Sequence, residues 1–338
     1  MTARIYYYAI EADQPFGGIA VIYEHVEVLR NAGYDAWILH DRQGYVLNWL
    51  NKEDVPIRYL SEDSTFDSDD IVVIPSVCKS IIRSLENAAF RRFVICQNQF
   101  VAAADIAMID AWRHLGISEV IVTQTKVSEF FKLAGWSDIS LIPCGIDRTK
   151  FKPSQKKLQI AYMPRKMPFE AAAIMSYFKL FYPNLSWIPF IKLDNMHHDQ
   201  VAVELGESDI FLALGHLESL GLPALEAMAS GCLVAGFHGD GDLSLSEARN
   251  SALWVDNIYA AAKALGTLVT WILSGNPKVD IQRKAGARLA ESYSLSARDK
   301  ALLEFWRTRA SGALKNSRRA CIDPLHHISQ STLSDNKI

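Results

Sequence analysis

At 338 residues the chain exceeds one comfortable hydrophobic core and suits two domains of roughly 150 residues each. Apolar residues make up 49% and charged residues 22%, with a formal net charge of −3, so the chain lacks the basic surplus of a general nucleic-acid binder. The five cysteines lie far apart without a C-x-x-C spacing, which argues against a disulfide framework or metal cluster and for a reducing, cytoplasmic setting. No window reaches the roughly 18 to 20 apolar residues that span a bilayer, and MTARIYYYAI reads as a strand rather than a signal peptide.

In chain order, RIYYYAI (4–10) reads as a strand and EADQPFGG (11–18) as a loop. Ile19 to Ala32 has helical spacing, with apolar residues at Ile19, Ile22, Val26 and Leu29, and Gly33 stops it. Strands are expected at DAWILH (35–40), DIVVIP (70–75), RFVICQ (92–97), VIVTQ (120–124) and ISLIP (139–143). Apolar strands alternating with helices predict a parallel sheet covered on both faces. PCGIDRTKFKPSQKK (143–157) breaks the pattern with two prolines, a glycine and several lysines, and reads as an interdomain linker.

A second α/β series then runs through LQIAYM (158–163), LSWIPFI (185–191), SDIFLAL (208–214), GCLVAGF (231–237) and ALWV (252–255). The late helices AAAKALGTLVTWIL and KALLEFWRTRA are the clearest, and the chain loses periodicity after about Ala310. The expected fold class is α/β, with two Rossmann-like parallel-sheet domains, residues 1–150 and 151–295, facing across a cleft, and a flexible tail at 313–338. Ligands of open α/β sheets lie beyond the carboxyl ends of the strands, so the loops that follow strands are where chemistry is sought.

Four such loops stand out. In PFGGIAV, Gly17 and Gly18 precede a helix, where backbone can approach an anion closely; a plain tight turn explains them as well. In YMPRKMP, Arg165 and Lys166 follow a strand and precede a helix that Pro168 can open, a pair suited to a diphosphate or simply a solvated basic turn. In GHLESLGLPALEAMASG, Glu218 falls in the loop and Glu226 early in a helix from Pro223 to Ala229, with Gly231 as its stop. The amides of Gly221 to Leu225 are expected to open onto the same space. A carboxylate such as Glu226 can accept from two vicinal hydroxyls at once, although acids are favoured near helix starts in any case. In FHGDGDLS, Asp240 and Asp242 are either a D-x-D metal pair or part of a glycine-rich turn facing a sugar or phosphate, and the turn is favoured.

SDIFLALGHLESLGLPALEAMASGCLVAG, with seven residues between Glu218 and Glu226, resembles the donor-site signature of family 4 glycosyltransferases with the GT-B fold. IPCGIDRTKFKP and FGGIAVIYEHVEVLRNAGYDAWIL are similar to that family's interdomain segment and N-terminal glycine loop. The resemblance implies a retaining, hexosyltransferase-type enzyme that moves a sugar from a nucleotide-diphosphate sugar to a glycan, lipid-linked or small-molecule acceptor, with no cofactor and no bound metal. It implies that Glu226 holds the ribose hydroxyls, Glu218 faces the donor sugar, and backbone around Ser219, Leu220, Gly221 and Leu222 contacts sugar and phosphates. Arg165, with Lys166, would neutralise the leaving diphosphate, and Gly18, with Gly17 beside it in the donor site, would let the first domain close against it.

YSLSARDKALLEFW is similar to the helix (about 296–312) that closes back onto the first domain in this family. The family's basic pair usually has the lysine several residues after the arginine, and many members carry a histidine where this chain has Gln97, Asn98 and Gln99. His40, His197, His198, His216 and His238 read as structural or surface residues. No nucleic-acid partner is expected. No basic amphipathic helix supports membrane attachment, while a lipid-linked acceptor, and with it a peripheral membrane contact, stays open. The reading from a different class is a transferase-like scaffold without turnover; an epimerase or phosphorylase fits the glutamate string less well.

Overall fold

Alternate residues along the first strands are buried on opposite sides, which only a sheet covered on both faces allows. The structure is a computed structural model that describes residues 3–14, 16–50, 52–60, 66–104, 106–310 and 319–320. The chain divides into two compact units, Met1–Pro143 with Asp299–Ile338, and Cys144–Arg298.

The first unit contains β1 (Ile5–Tyr8), α1 (Gly17–Asn31), β2 (Ala36–His40), β3 (Ile57–Tyr59), β4 (Phe66–Asp67), β5 (Ile71–Pro75), α2 (Lys79–Ser84) and β6 (Arg91–Cys96). It continues through α3 (Gln99–Ala103), α4 (Ile106–His114), β7 (Ile117–Val122), α5 (Thr125–Leu133) and β8 (Ile139–Leu141). Seven strands form a parallel sheet in the order β3-β2-β1-β5-β6-β7-β8. Tyr6, Val72, Val94 and Val120 face one core, with Trp112 and Phe131 from the helices. Tyr7, Val73, Ile95 and Ile121 face the other, with Ile22, Val26 and Leu29 of α1.

The second unit contains β9 (Lys157–Tyr162), α6 (Pro168–Phe181), β10 (Phe190–Lys192), α7 (His198–Glu207), β11 (Ser208–Glu218), α8 (Leu222–Ala229), β12 (Leu233–Asp240), β13 (Leu253–Trp254), α9 (Ile258–Leu273) and α10 (Lys278–Ser292). Its parallel sheet has the order β10-β9-β11-β12-β13. The closing helix α11 (Leu295–Arg309) crosses the division between the units, and its Leu302, Phe305 and Trp306 fill the core beneath α1. There Trp306 Nε1 donates to Tyr7 Oη at 3.1 Å, so a large apolar ring is buried without orphaning its N–H. Arg319–Ala320, β14, pairs antiparallel with β4; the rest of the expected tail at 313–338 lies outside the described residues.

Three sequence expectations change. LSWIPFI (185–191) yields a strand only at Phe190–Lys192, because Pro183–Leu185 forms a short 3-10 turn ahead of it. Gly17 and Gly18 are the first two residues of α1 rather than the loop before it. The segment read as a linker (143–157) packs into the second unit. Phe151 is buried, Ile146 N donates to Tyr293 O at 2.8 Å, and Lys156 Nζ donates to the carbonyls of Leu205, Ser208 and Ser230 at 3.1, 2.8 and 2.7 Å. Lys156 thus satisfies carbonyls at the C-terminal ends of both α7 and α8, where a cation is favoured. Burial lowers the pKa of this lysine.

His40 ends β2 in a buried position, bonded by Nδ1 to Ala9 O at 2.8 Å and by Nε2 to the Tyr23 hydroxyl at 2.8 Å. Burial pushes its pKa down from 6.5 to about 4. The folded state therefore holds His40 neutral, and this contribution is complete above pH 6.5 and is lost as pH falls towards 4. At about 1.4 kcal/mol per pH unit, that interval costs about 3 kcal/mol. Urea denaturation at both ends of it should show wild type losing about 3 kcal/mol more stability than His40→Gln; equal losses would remove His40 as the cause.

Candidate active site of the second unit

The carboxyl ends of β9, β10, β11 and β12 carry the candidate residues. SDIFLAL does not end its strand at Leu214, as its pattern predicts: β11 continues to Glu218 and β12 to Asp240, with Glu218 opposite Asp240 after a bulge between Gly215 and Glu218. Glu218 is therefore the last residue of a paired strand, not a loop residue. The sequence hides this because the final stretch, GHLE, is polar or half-exposed.

Backbone strain concentrates here. The non-glycine residues with positive φ among the described residues are Asn195 (53°), Leu217 (49°) and Asp240 (63°), one after each of β10, β11 and β12 or at its end. Such conformations cost about 1–2 kcal/mol each and persist where surrounding structure dictates them. The dictating structure is a close backbone stack. A methyl at Gly241 would lie 2.1 Å from the carbonyl oxygens of both Glu218 and Ser219, and one at Gly239 would lie 2.6 Å from Glu218 Cβ. Asp242 N donates to Ser219 O at 2.7 Å, and Asp240 N donates to His238 Nδ1 at 3.0 Å.

The glycine-rich turn thus exists, but these two amides hold the Glu218 segment and the neighbouring histidine instead of facing a ligand. Asp240 is exposed whereas Asp242 is buried, so the two carboxylates do not share an environment. Gly221 then turns the chain in the left-handed region (φ 78°, ψ 55°), and α8 begins with Leu222 and Pro223. The amides of Ala224 and Leu225 donate to Gly221 O at 3.0 and 3.4 Å. The expectation of open amides from Gly221 to Leu225 therefore narrows to Gly221 and Leu222. Ser219 and Leu220 are buried, so a ligand would meet their backbone rather than their side chains.

Two contacts join the loops. Lys166 Nζ lies 2.5 Å from Glu218 Oε1, linking the turn after β9 to the end of β11. Arg165, the residue before it, is exposed in the same turn, and Pro168 opens α6 as its position suggests. Glu226, buried on α8, accepts from His198 Nε2 at 3.0 Å, and His198 starts α7. An ionised carboxylate only accepts, so Nε2 carries the proton. His198 is the residue that sequence reasoning set aside. The signal available was its place just after β10, at the same sheet edge as the other candidates.

In the first unit, Gln97 Nε2 donates to Gly18 O at 3.0 Å, and a methyl on Gly18 would lie 2.3 Å from Gln97 Oε1. Asn98 caps α3 through Phe100 N at 2.8 Å, and Gln99 is buried. Gly18 thus makes room for a glutamine of its own unit. No single helix among the described residues is long and apolar enough to cross a membrane.

Two parallel-sheet α/β units with candidate charges at the carboxyl rim of the second define the GT-B class of glycosyltransferase folds, and solved structures of that class match almost the whole chain. The HepE protein of Anabaena, solved with UDP and glucose, has a TM-score of 0.68 at 12% identity, covering 90% of this chain and 100% of that one. Sucrose-phosphate synthase of Thermosynechococcus elongatus gives 0.67 at 13% identity, covering 92% and 100%. No family model matches. The chain belongs to the glycosyltransferases: it is 30% identical over 242 residues to the α-1,6-glucosyltransferase of Actinobacillus pleuropneumoniae serotype 7 (strain AP76), covering 68% of this chain and 72% of that enzyme.

Gly241→Ala should force the Glu218–Ser219 peptide to move and lower stability by about 1–3 kcal/mol, the usual cost of overpacking. Denaturation that leaves the variant as stable as wild type would show that the close stack yields freely.

Proposed function

We propose that the chain is a retaining glycosyltransferase of family 4 that transfers a hexose from a nucleoside-diphosphate sugar. The observation that carries this reading is the Lys166–Glu218 pair beside Arg165 and the start of α8. Two cations and the amides of Gly221 and Leu222 gather at one sheet edge, where a diphosphate would be neutralised. Glucose is favoured as the sugar, because the curated relative is an α-1,6-glucosyltransferase and HepE has been solved with UDP-glucose. An α-linked product made from an α-linked nucleoside-diphosphate sugar keeps the anomeric configuration, which supports retention.

In this scheme Glu226 accepts from a ribose hydroxyl and Glu218 orients the sugar. Breaking the sugar–phosphate bond leaves an oxocarbenium-like sugar and a diphosphate. Arg165, Lys166 and the helix amides, rather than a bound metal, stabilise that leaving group. The departing phosphate takes the proton of the acceptor hydroxyl on the same face, so no protein nucleophile is needed. The acceptor is a glycan, lipid-linked precursor or small molecule. A cytoplasmic location fits free, buried cysteines at Cys78, Cys96 and Cys232.

The central experiment is incubation with UDP-glucose, followed by product analysis. Release of UDP with an α-configured product supports the proposal; a β-configured product would end the retaining mechanism, and no release after prolonged incubation would favour the scaffold reading. Arg165→Ala should lower kcat about 100-fold or more, as loss of a preorganised charge does. Glu226→Ala should weaken nucleoside-diphosphate binding about 10- to 100-fold, the scale of a hydrogen bond to a charged group. Glu218→Gln should act in two directions, releasing Lys166 to bind UDP up to about fivefold more tightly while turnover falls, since an exposed ion pair contributes about 0–1 kcal/mol. Calorimetry and steady-state kinetics on the same preparations separate these effects.

A further inference from the structure

We propose that His198 is a positioning residue that fixes the Glu226 carboxylate and thereby sets selectivity for ribonucleotides over deoxyribonucleotides. The proposal rests on the reading of Glu226 as the acceptor for a ribose hydroxyl. Three contacts fix the start of α7 and the imidazole it carries. His198 opens α7 directly after a capping box between His197 and Gln200, whose Oε1 accepts from His197 N at 3.2 Å. Its ring meets the buried Phe151 edge-on, with centroids 4.9 Å apart and planes at 65°. The next residue, Asp199, pairs with Lys150 at 2.6 Å, which ties the start of α7 to the segment that carries Phe151.

A ring fixed in this way donates Nε2–H to Glu226 Oε1 at 3.0 Å. The carboxylate is nearly buried, with its side chain 12% exposed, while the imidazole is 42% exposed. Oε2 of Glu226 carries no hydrogen bond to the described residues, and Oε1 keeps a second lone pair. His198 therefore chooses the rotamer in which Glu226 presents acceptor capacity, before any hydroxyl arrives. Removing it would leave the carboxylate to sample other rotamers, and ordering a side chain on binding costs about three- to tenfold in affinity. A deoxyribose that lacks the recognised hydroxyl makes no use of that order. The loss should therefore fall on the ribonucleotide and spare the deoxy analogue. A residue that merely tied α7 to α8 would change both affinities alike.

The test is calorimetric titration with UDP, ADP and GDP, then with the 2′-deoxy and 3′-deoxy forms of the tightest binder. Wild type should prefer the ribonucleotide about tenfold or more over at least one deoxy form. His198→Leu should reduce that preference about three- to tenfold, and His198→Gln, which keeps an N–H donor, should restore most of it. Equal weakening of ribo and deoxy forms by His198→Leu, or no change in either, overturns the proposal. Should His198→Leu fail to fold, His198→Asn, polar but too short to reach Glu226, carries the same test. Glu226→Ala, which removes the acceptor, separates the two readings. An unchanged preference in that variant removes Glu226 from the ribose, whereas a preference lost there but kept in His198→Leu overturns the positioning role alone. Binding by none of the three nucleotides overturns both.

Discussion

The second unit depends on two neighbouring parallel strands that outrun their apolar cores. Up to Leu214 and Gly236, β11 and β12 are ordinary buried strands; beyond, they stay paired to Glu218 and Asp240 although most of their side chains are polar or only partly covered. Maintaining that pairing through a bulge puts Leu217 and Asp240 into the left-handed region, and Gly239 and Gly241 let the backbones stack at contact distance. The conformational penalty is offset by the ladder and by the bond from Asp242 N to Ser219 O. What results is a carboxylate on a strand end rather than on a free loop. A rigid support of that kind is what electrostatic preorganisation requires.

Neither glutamate stands alone. Glu218 is matched by a lysine from the turn after β9, and Glu226 by the histidine that opens α7, the helix after β10. In the sheet order β10-β9-β11-β12, the partners come from two strands and the acids from the third strand and the helix that follows it. Lys156 reinforces the arrangement from the opposite ends of the helices, gathering carbonyls at the C-termini of α7 and α8. A displacement of either helix would therefore be felt both at that lysine and at the His198–Glu226 bond.

Apolar periodicity made the parallel sheets legible, and the order of motifs along the chain indicated the GT-B class. Pro168 and Pro223 marked the openings of α6 and α8 correctly, because a proline ring presets the backbone of a first helical turn. Three kinds of feature escaped. Short strands such as Ile57–Tyr59 have too few residues to show a period. The overrun of β11 and β12 is held by glycine packing between segments about twenty residues apart, which a pattern along one segment does not register. His198 acquires its partner 28 positions later, so nothing adjacent in sequence distinguishes it from the histidine before it. The segment around Phe151 failed as a linker for a related reason: its prolines and lysines signal a loop, while its one large aromatic residue reaches a core.

The bond between Trp306 and Tyr7 joins residues 299 positions apart, and both belong to the first unit. That unit is started first during synthesis and completed last. The second unit is continuous in sequence and can close its sheet once its final helix has emerged, whereas the first must wait with a gap beneath α1 where Leu302, Phe305 and Trp306 will sit. Loop closure over such a length costs entropy before any contact repays it, so assembly of the first unit should be the slow event. A nascent chain stopped before residue 299 would carry a nearly finished second unit attached to a first whose apolar face is still open to water, and to chaperones.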